Sequence, residues 1–147
     1  MSVSSSQPIT IREVEAEFEE LGDWEARCDY LIDLGFDLPD FPEENKTEEN
    51  RVHGCQSNVW MTAEIRQNGE PTIEFRAVSD AMIVRGLIAI LLAAYSGRTP
   101  RDILETDIHG LFSRLELDRH LSTARRNGLM GMVKRIRAIA EQAAPAC

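Results

Sequence analysis

Between Val59 and Ala77 the chain alternates apolar and polar residues, turns once and alternates back, and this pattern constrains the fold more than any other stretch. Val59, Met61, Ala63 and Ile65 alternate with Trp60, Thr62, Glu64 and Arg66, the period of a half-buried strand. Asn68-Gly69 is a two-residue hairpin signal, and Ile73, Phe75 and Ala77 alternate with Thr72, Glu74 and Arg76 on the return. Immediately after comes a segment apolar nearly all round, with Met82, Ile83, Val84, Leu87, Ile88, Ile90, Leu91 and Leu92. Such a segment predicts a helix buried as the spine of the domain.

The flanks read as further helices. Thr10-Ile-Arg-Glu13 has the form of a capping box, and Ile11, Val14, Phe18 and Leu21 follow at helical spacing up to Gly22, a C-cap. Asp23 caps a second helix with Trp24, Cys28, Leu31 and Ile32 as its buried stripe, ending at Leu34-Gly35. Residues 37–50 hold two prolines and six acids without a sustained period, which predicts a loop. Ser79-Asp80 caps the apolar helix and Gly97 closes it. Thr99-Pro100 starts a short helix and Asp107 caps another. Ser122 opens the last long helix, whose stripe is Leu129, Met132, Val133, Ile136 and Ala140. Gly128 and Gly131, three apart, predict a close approach of that helix to another element. Helices, a hairpin and more helices make an α+β fold, a small antiparallel sheet packed against helices. One domain is expected over residues 10–141, with a disordered tail at 1–9 and a frayed one at 142–147.

A chain of 147 residues can bury roughly 68–70% of its unfolded surface, so no staple is needed. The cysteines at 28, 55 and 147 form no Cys-x-x-Cys or Cys/His cluster, which argues against a zinc site or a disulfide framework. Free thiols in a reducing compartment are expected. The longest strongly apolar run, Gly86 to Tyr95, is far short of the ~20 residues that cross a bilayer. The first residues lack the basic and apolar regions of a secretory signal, so a cytoplasmic protein with no membrane contact is expected. A net charge of −9 argues against general nucleic-acid binding. Residues 1–50 carry 15 acids against three bases, while residues 51–147 carry 10 acids against 13 bases. The asymmetry reads either as a bipolar surface that orients a protein partner or as solvated faces.

The chemistry concentrates in residues 50–61, Asn-Arg-Val-His-Gly-Cys-Gln-Ser-Asn-Val-Trp-Met. Gly54 permits a sharp turn and leaves Cys55 open to a bulky partner. Gln56 and Ser57 offer short hydrogen-bonding groups beside a sulfur that must become a thiolate to react. Gly-Cys-Gln-Ser followed by Val-Trp resembles the reactive loop of the SufE family of sulfur-acceptor proteins. Three further blocks extend the resemblance from about Asp23 to about Ile136. Asp23-Trp24-Glu25 leads a helix ending Tyr30-Leu31-Ile32-Asp33-Leu34-Gly35, and Ser79-Asp80-Ala81 precedes Ile83-Val84-Arg85-Gly86-Leu87. Leu121-Ser122-Thr123-Ala124-Arg125-Arg126-Asn127-Gly128-Leu129 is similar to the family's C-terminal signature. One departure is His53, where the family has a variable, often uncharged residue.

The resemblance implies a fold similar to the IscU-type scaffold, with about three antiparallel strands, the third near Arg51–Val52. It implies that Cys55 takes persulfide sulfur from a cysteine desulfurase (SufS-like or CsdA-like) and stimulates that enzyme. The sulfur then passes towards iron–sulfur cluster assembly, to a recipient such as a SufB-type scaffold. Pyridoxal phosphate belongs to the desulfurase and no cofactor to this chain, which is a carrier and activator rather than a stand-alone enzyme. Neither Lys46, in an acidic loop, nor Lys134, on a polar helix face, suits a Schiff base. The resemblance also places Arg125 near the loop, where it can oppose Glu43, Glu44, Glu48 and Glu49. Gly54, Gln56, Ser57 and Asp80 are its supporting loop or partner-contact positions.

Other residues read more plainly. Cys28 is a core residue by its face, Cys147 is incidental, and Asp80 is a first-turn acid favoured by the helix dipole. His53 is near Cys55 in sequence, but neighbours along an extended segment point apart. Two alternative functions are a cysteine hydrolase pairing Cys55 with His109 or His120, and a cluster scaffold resembling IscU. The first needs a base, an acid and an oxyanion hole in one cleft, the second several converging ligands.

Overall fold

The structure, a computed structural model, describes residues 9–54, 57–67 and 69–143. Helix α1 (Ile11–Leu21) opens with the predicted box: Glu13 N donates to Thr10 Oγ1 at 3.2 Å, and Thr10 N donates to the Glu13 carboxylate at 2.9 Å. Helix α2 (Trp24–Phe36) is capped by Asp23, which accepts from Ala26 N at 2.8 Å. It runs past the predicted stop at Leu34-Gly35 because Gly35 serves inside the helix. A Cβ there would sit 2.8 Å from the Arg85 Cβ, so its absence lets a second helix lie close.

Strands β1 (Val59–Arg66) and β2 (Thr72–Ser79) pair antiparallel, Val59 opposite Ser79 and Arg66 opposite Thr72. The connection spans residues 67–71, wider than a two-residue turn. Gly69 takes a left-handed φ of 78°, and Asn68 lies outside the described residues. Two strands make the sheet among the described residues. The segment expected as a third strand shortens to one bridge, Arg51 opposite Trp60, flanked by Val52 N to Val59 O at 2.9 Å and Met61 N to Asn50 O at 2.8 Å. A turn at residues 48–50 and the left-handed Gly54 (φ 101°) bracket it too closely for a longer strand.

Helix α3 (Met82–Tyr95) is the predicted spine, buried along most of its length. Its N-cap is Ala81, with no side-chain cap, so the expected Ser79-Asp80 cap does not form. Ser79 Oγ accepts from Ala81 N at 3.1 Å, and the Asp80 carboxylate is engaged elsewhere. A Cβ on Gly86 would overlap the Leu31 carbonyl, so α2 and α3 meet backbone to backbone at this point. Thr99 caps α4 (Pro100–Glu105) and Asp107 caps α5 (Ile108–Arg114), both as expected. A short α6 (Leu117–His120), which no spacing in the sequence predicts, follows Glu116 in a left-handed conformation (φ 61°). Helix α7 (Thr123–Ala143) buries Leu129, Met132, Val133, Ile136 and Ala140, the predicted stripe. Val14, Phe18, Leu31, Phe75 and Leu87 complete one continuous core with it. Cys28 is half-buried rather than a core residue. Among the described residues no helix is long and apolar enough to cross a membrane.

Candidate functional site

Cys55, Gln56 and Cys147 lie outside the described residues, whereas Gly54 and Ser57 are described. The loop that carries Cys55 leaves the sheet at Val52 and rejoins it at Val59, and the Val52 N to Val59 O bond closes its base. On the downstream side Asn58 is held by Asp80. Asn58 N donates to Oδ1 at 3.1 Å, Asn58 Nδ2 donates to Oδ2 at 2.8 Å, and Asp80 N donates back to Asn58 O at 3.3 Å. Asp80 is therefore a loop anchor and not a first-turn acid of α3. The signal for this pair lies in the hairpin register: with Val59 opposite Ser79, one more step puts Asn58 opposite Asp80.

Beside that loop lies a cavity of about 270 Å³. Ser57 and Arg125 line its polar side, and Val84, Leu87, Leu129 and Met132 its apolar side. Ser122 fixes the start of α7, its Oγ accepting from Arg125 N at 3.2 Å, which sets Arg125 at the cavity edge. The Arg125 side chain is exposed and makes no ion pair or hydrogen bond among the described residues. The structure thus brings Ser57 and Arg125 together at one cavity. Of the four glutamates just upstream of the loop, Glu43, Glu44, Glu48 and Glu49, two are partnered. Glu48 meets His53 Nε2 at 2.9 Å, and Glu43 meets Lys46 Nζ at 3.2 Å, with that ammonium 5.6 Å from the centre of the Trp60 ring. His53 is thereby an exposed partner of Glu48.

Cys28, on α2, lies within the electrostatic reach of Arg125. Burial pushes its thiol above the ordinary 9.0, Asp29 and Glu25 push the same way, and Arg125 pulls back. The two other histidines sit apart from Ser57. His120 stacks on Trp24 with ring centroids 4.6 Å apart, and its Nε2 is 3.9 Å from a Glu116 carboxylate that also pairs with Arg27 at 2.9 Å. His109 lines a separate cavity of about 180 Å³ with Phe112, Ser113 and Arg126. Among the described residues no three His, Cys, Asp or Glu side chains gather as a metal site would require.

A family model described as SufE, Fe-S metabolism associated domain, matches residues 12–140. An uncharacterized SufE-like protein of Rhizobium meliloti (strain 1021) is 44% identical over 131 residues, 88% of this chain and 94% of that protein. An uncharacterized SufE-like protein of Rhizobium etli is 48% identical over 122 residues, 82% of each chain. A solved structure described as the solution structure of a hypothetical protein from Thermus thermophilus matches with a TM-score of 0.69. The identity is 25%, over 92% of this chain and 96% of that one.

Proposed function

This chain belongs to the SufE family, a domain associated with iron–sulfur metabolism, and on that premise we propose that it is a sulfur acceptor for a pyridoxal-phosphate cysteine desulfurase, with Cys55 as the accepting thiol. The Cys55 thiolate attacks the outer sulfur of the donor's persulfide. The donor S–S bond breaks, its electron pair leaves with the donor thiolate, and a new S–S bond forms on Cys55. Donor and acceptor exchange one sulfur atom with no net oxidation. A second thiolate, on a downstream recipient such as a SufB-type scaffold, removes the sulfur by the same step. Pyridoxal phosphate chemistry stays with the partner, a SufS-like or CsdA-like enzyme, whose turnover rises as its persulfide is cleared. The exchange belongs in the reducing cytoplasm, where free thiols persist.

The observation that carries this reading is the convergence of Ser57, two residues past Cys55, with Arg125 at one cavity of mixed polar and apolar lining. A cation at the rim favours a thiolate or a persulfide anion over the neutral form. Asp80 supports the loop by fixing Asn58, and Gly54 gives access through its left-handed turn.

Incubation with a cognate desulfurase, pyridoxal phosphate and free cysteine should add the mass of one sulfur at Cys55. Cys55→Ser should abolish both that mass and the stimulation of the desulfurase, whereas Cys28→Ser and Cys147→Ser should retain both. Sulfur loading on Cys28 or Cys147, or full stimulation by Cys55→Ser, would overturn the relay. Arg125→Ala should slow acceptance while leaving the fold intact.

A further inference from the structure

One stripe of α7 holds the chain that enters the Cys55 loop. Arg135 donates from Nη1 to the Arg51 carbonyl at 3.0 Å and from Nη2 to the Glu49 carbonyl at 2.7 Å. Gly131, one turn earlier, leaves room for the His53 carbonyl, which would lie 3.0 Å from a Cβ at that position. Residues four apart share a helix face, so the two contacts form one dock for the backbone of residues 49–53. Arg125 lies six residues before Gly131, about 9 Å along the axis at 1.5 Å per residue.

The dock is not needed to attach this segment to the sheet. Val52 is buried, its N–H bonds Val59, and Asn50 O accepts from Met61 N. What Arg135 and Gly131 add is a tie to the one helix that also carries Arg125. A helix is stiff over three turns, so the tie fixes the distance between the loop's upstream end and the guanidinium. The contacts go to main-chain oxygens, so they hold the path of the backbone itself.

We propose that Arg135 and Gly131 are positioning residues for sulfur acceptance, registering residues 49–53 against Arg125 through α7; this rests on Cys55 being the acceptor. The full chain is tested with its desulfurase, pyridoxal phosphate and cysteine, following the rate of sulfur mass gain at Cys55. Arg135→Met should lower that rate about tenfold, since displacements near 1 Å in a reacting geometry cost up to ~100-fold. Arg135→Lys, able to reach one carbonyl, should recover part of it. Gly131→Ala should act in the same direction more weakly, and it keeps the test open if Arg135→Met does not fold. In an Arg125→Ala background Arg135→Met should cost less than about twofold more, because its effect runs through Arg125. Loading confined to Cys55 with an unchanged rate in Arg135→Met and Gly131→Ala overturns the inference alone. The full tenfold loss in the Arg125→Ala background overturns it too, by showing a role in stability only. Sulfur that still loads on Cys55→Ser protein overturns the acceptor reading, and this inference with it.

Discussion

Replacing Asp80 with alanine removes the two carboxylate acceptors that fix Asn58, at 3.1 and 2.8 Å, and leaves the Asp80 N to Asn58 O bond in place. Both lost bonds are exposed, so together they contribute about 1 kcal/mol to stability. In a domain of this size that lowers the melting temperature by about 2–4 °C. The effect on function is larger. Released from its anchor, the downstream end of the loop regains the backbone freedom of roughly one residue, about 1–2 kcal/mol, which each docking event must remove again. At about 1.4 kcal/mol per factor of ten, sulfur acceptance should fall about tenfold. Asp80→Asn keeps one oxygen for Asn58 N and should fall less. The assay pairs calorimetry with the rate of sulfur mass gain under a fixed desulfurase concentration. A transfer rate within about twofold of the parent, at an unchanged melting temperature, refutes the anchoring argument. A drop in melting temperature beyond about 10 °C would instead make Asp80 a support of the core.

Gly86→Ala places a Cβ on the Leu31 carbonyl. Overpacking against backbone outweighs the ~1 kcal/mol gain in helix propensity, for a net loss of about 2 kcal/mol, and an unchanged denaturation midpoint would sink the close α2–α3 packing. Tyr95 is fully buried with an unbonded hydroxyl, so Tyr95→Phe should leave stability unchanged or raise it by about 1 kcal/mol. A clear loss in urea titration would mean that the hydroxyl is bonded. Tyr30 has its phenol pushed up to about 12 by burial, then by Glu17 and Glu13, from an ordinary 10.0. Below that ordinary value both states are neutral. Above it the unfolded chain ionises first, so stability falls as pH rises towards about 12. Tyr30→Phe should flatten that alkaline limb of the stability curve, and an identical limb in both proteins would count against the shift.

What the sequence made legible was local. The Thr10–Glu13 box, the Asp23, Thr99 and Asp107 caps, the pairing of the two strands and the α7 stripe each depend on spacings of two to four residues, and each formed. The alternation in β1, however, buries only Val59 and Met61 and leaves Ala63 and Ile65 exposed. The readings that changed depend on distant partners. Asp80 reads as part of the helix beside it, but its carboxylate reaches Asn58, 22 residues away. Gly35 reads as a helix end because nothing nearby in sequence shows that Arg85 lies against it. Cys28 shares a helical spacing with Leu31 and Ile32, yet helix α2 turns it only partly inward. Arg135 gives no signal at all, since its two carbonyls lie 84 and 86 residues back.

The candidate site follows the same division. Its thiol and turn are written in six consecutive residues, Gly54 to Val59, whereas its setting comes from two helices far apart in sequence. The upstream end of the loop is tied to α7 through Arg135 and Gly131, and the downstream end to the start of α3 through Asp80. Those same helices build the cavity beside Ser57, α3 with Val84 and Leu87, α7 with Arg125, Leu129 and Met132. Loop ends and cavity walls therefore hang on the same two helices. A partner that shifted α7 against α3 would act on the cavity and on both loop ends, while the sheet bond between Val52 and Val59 would hold the base closed.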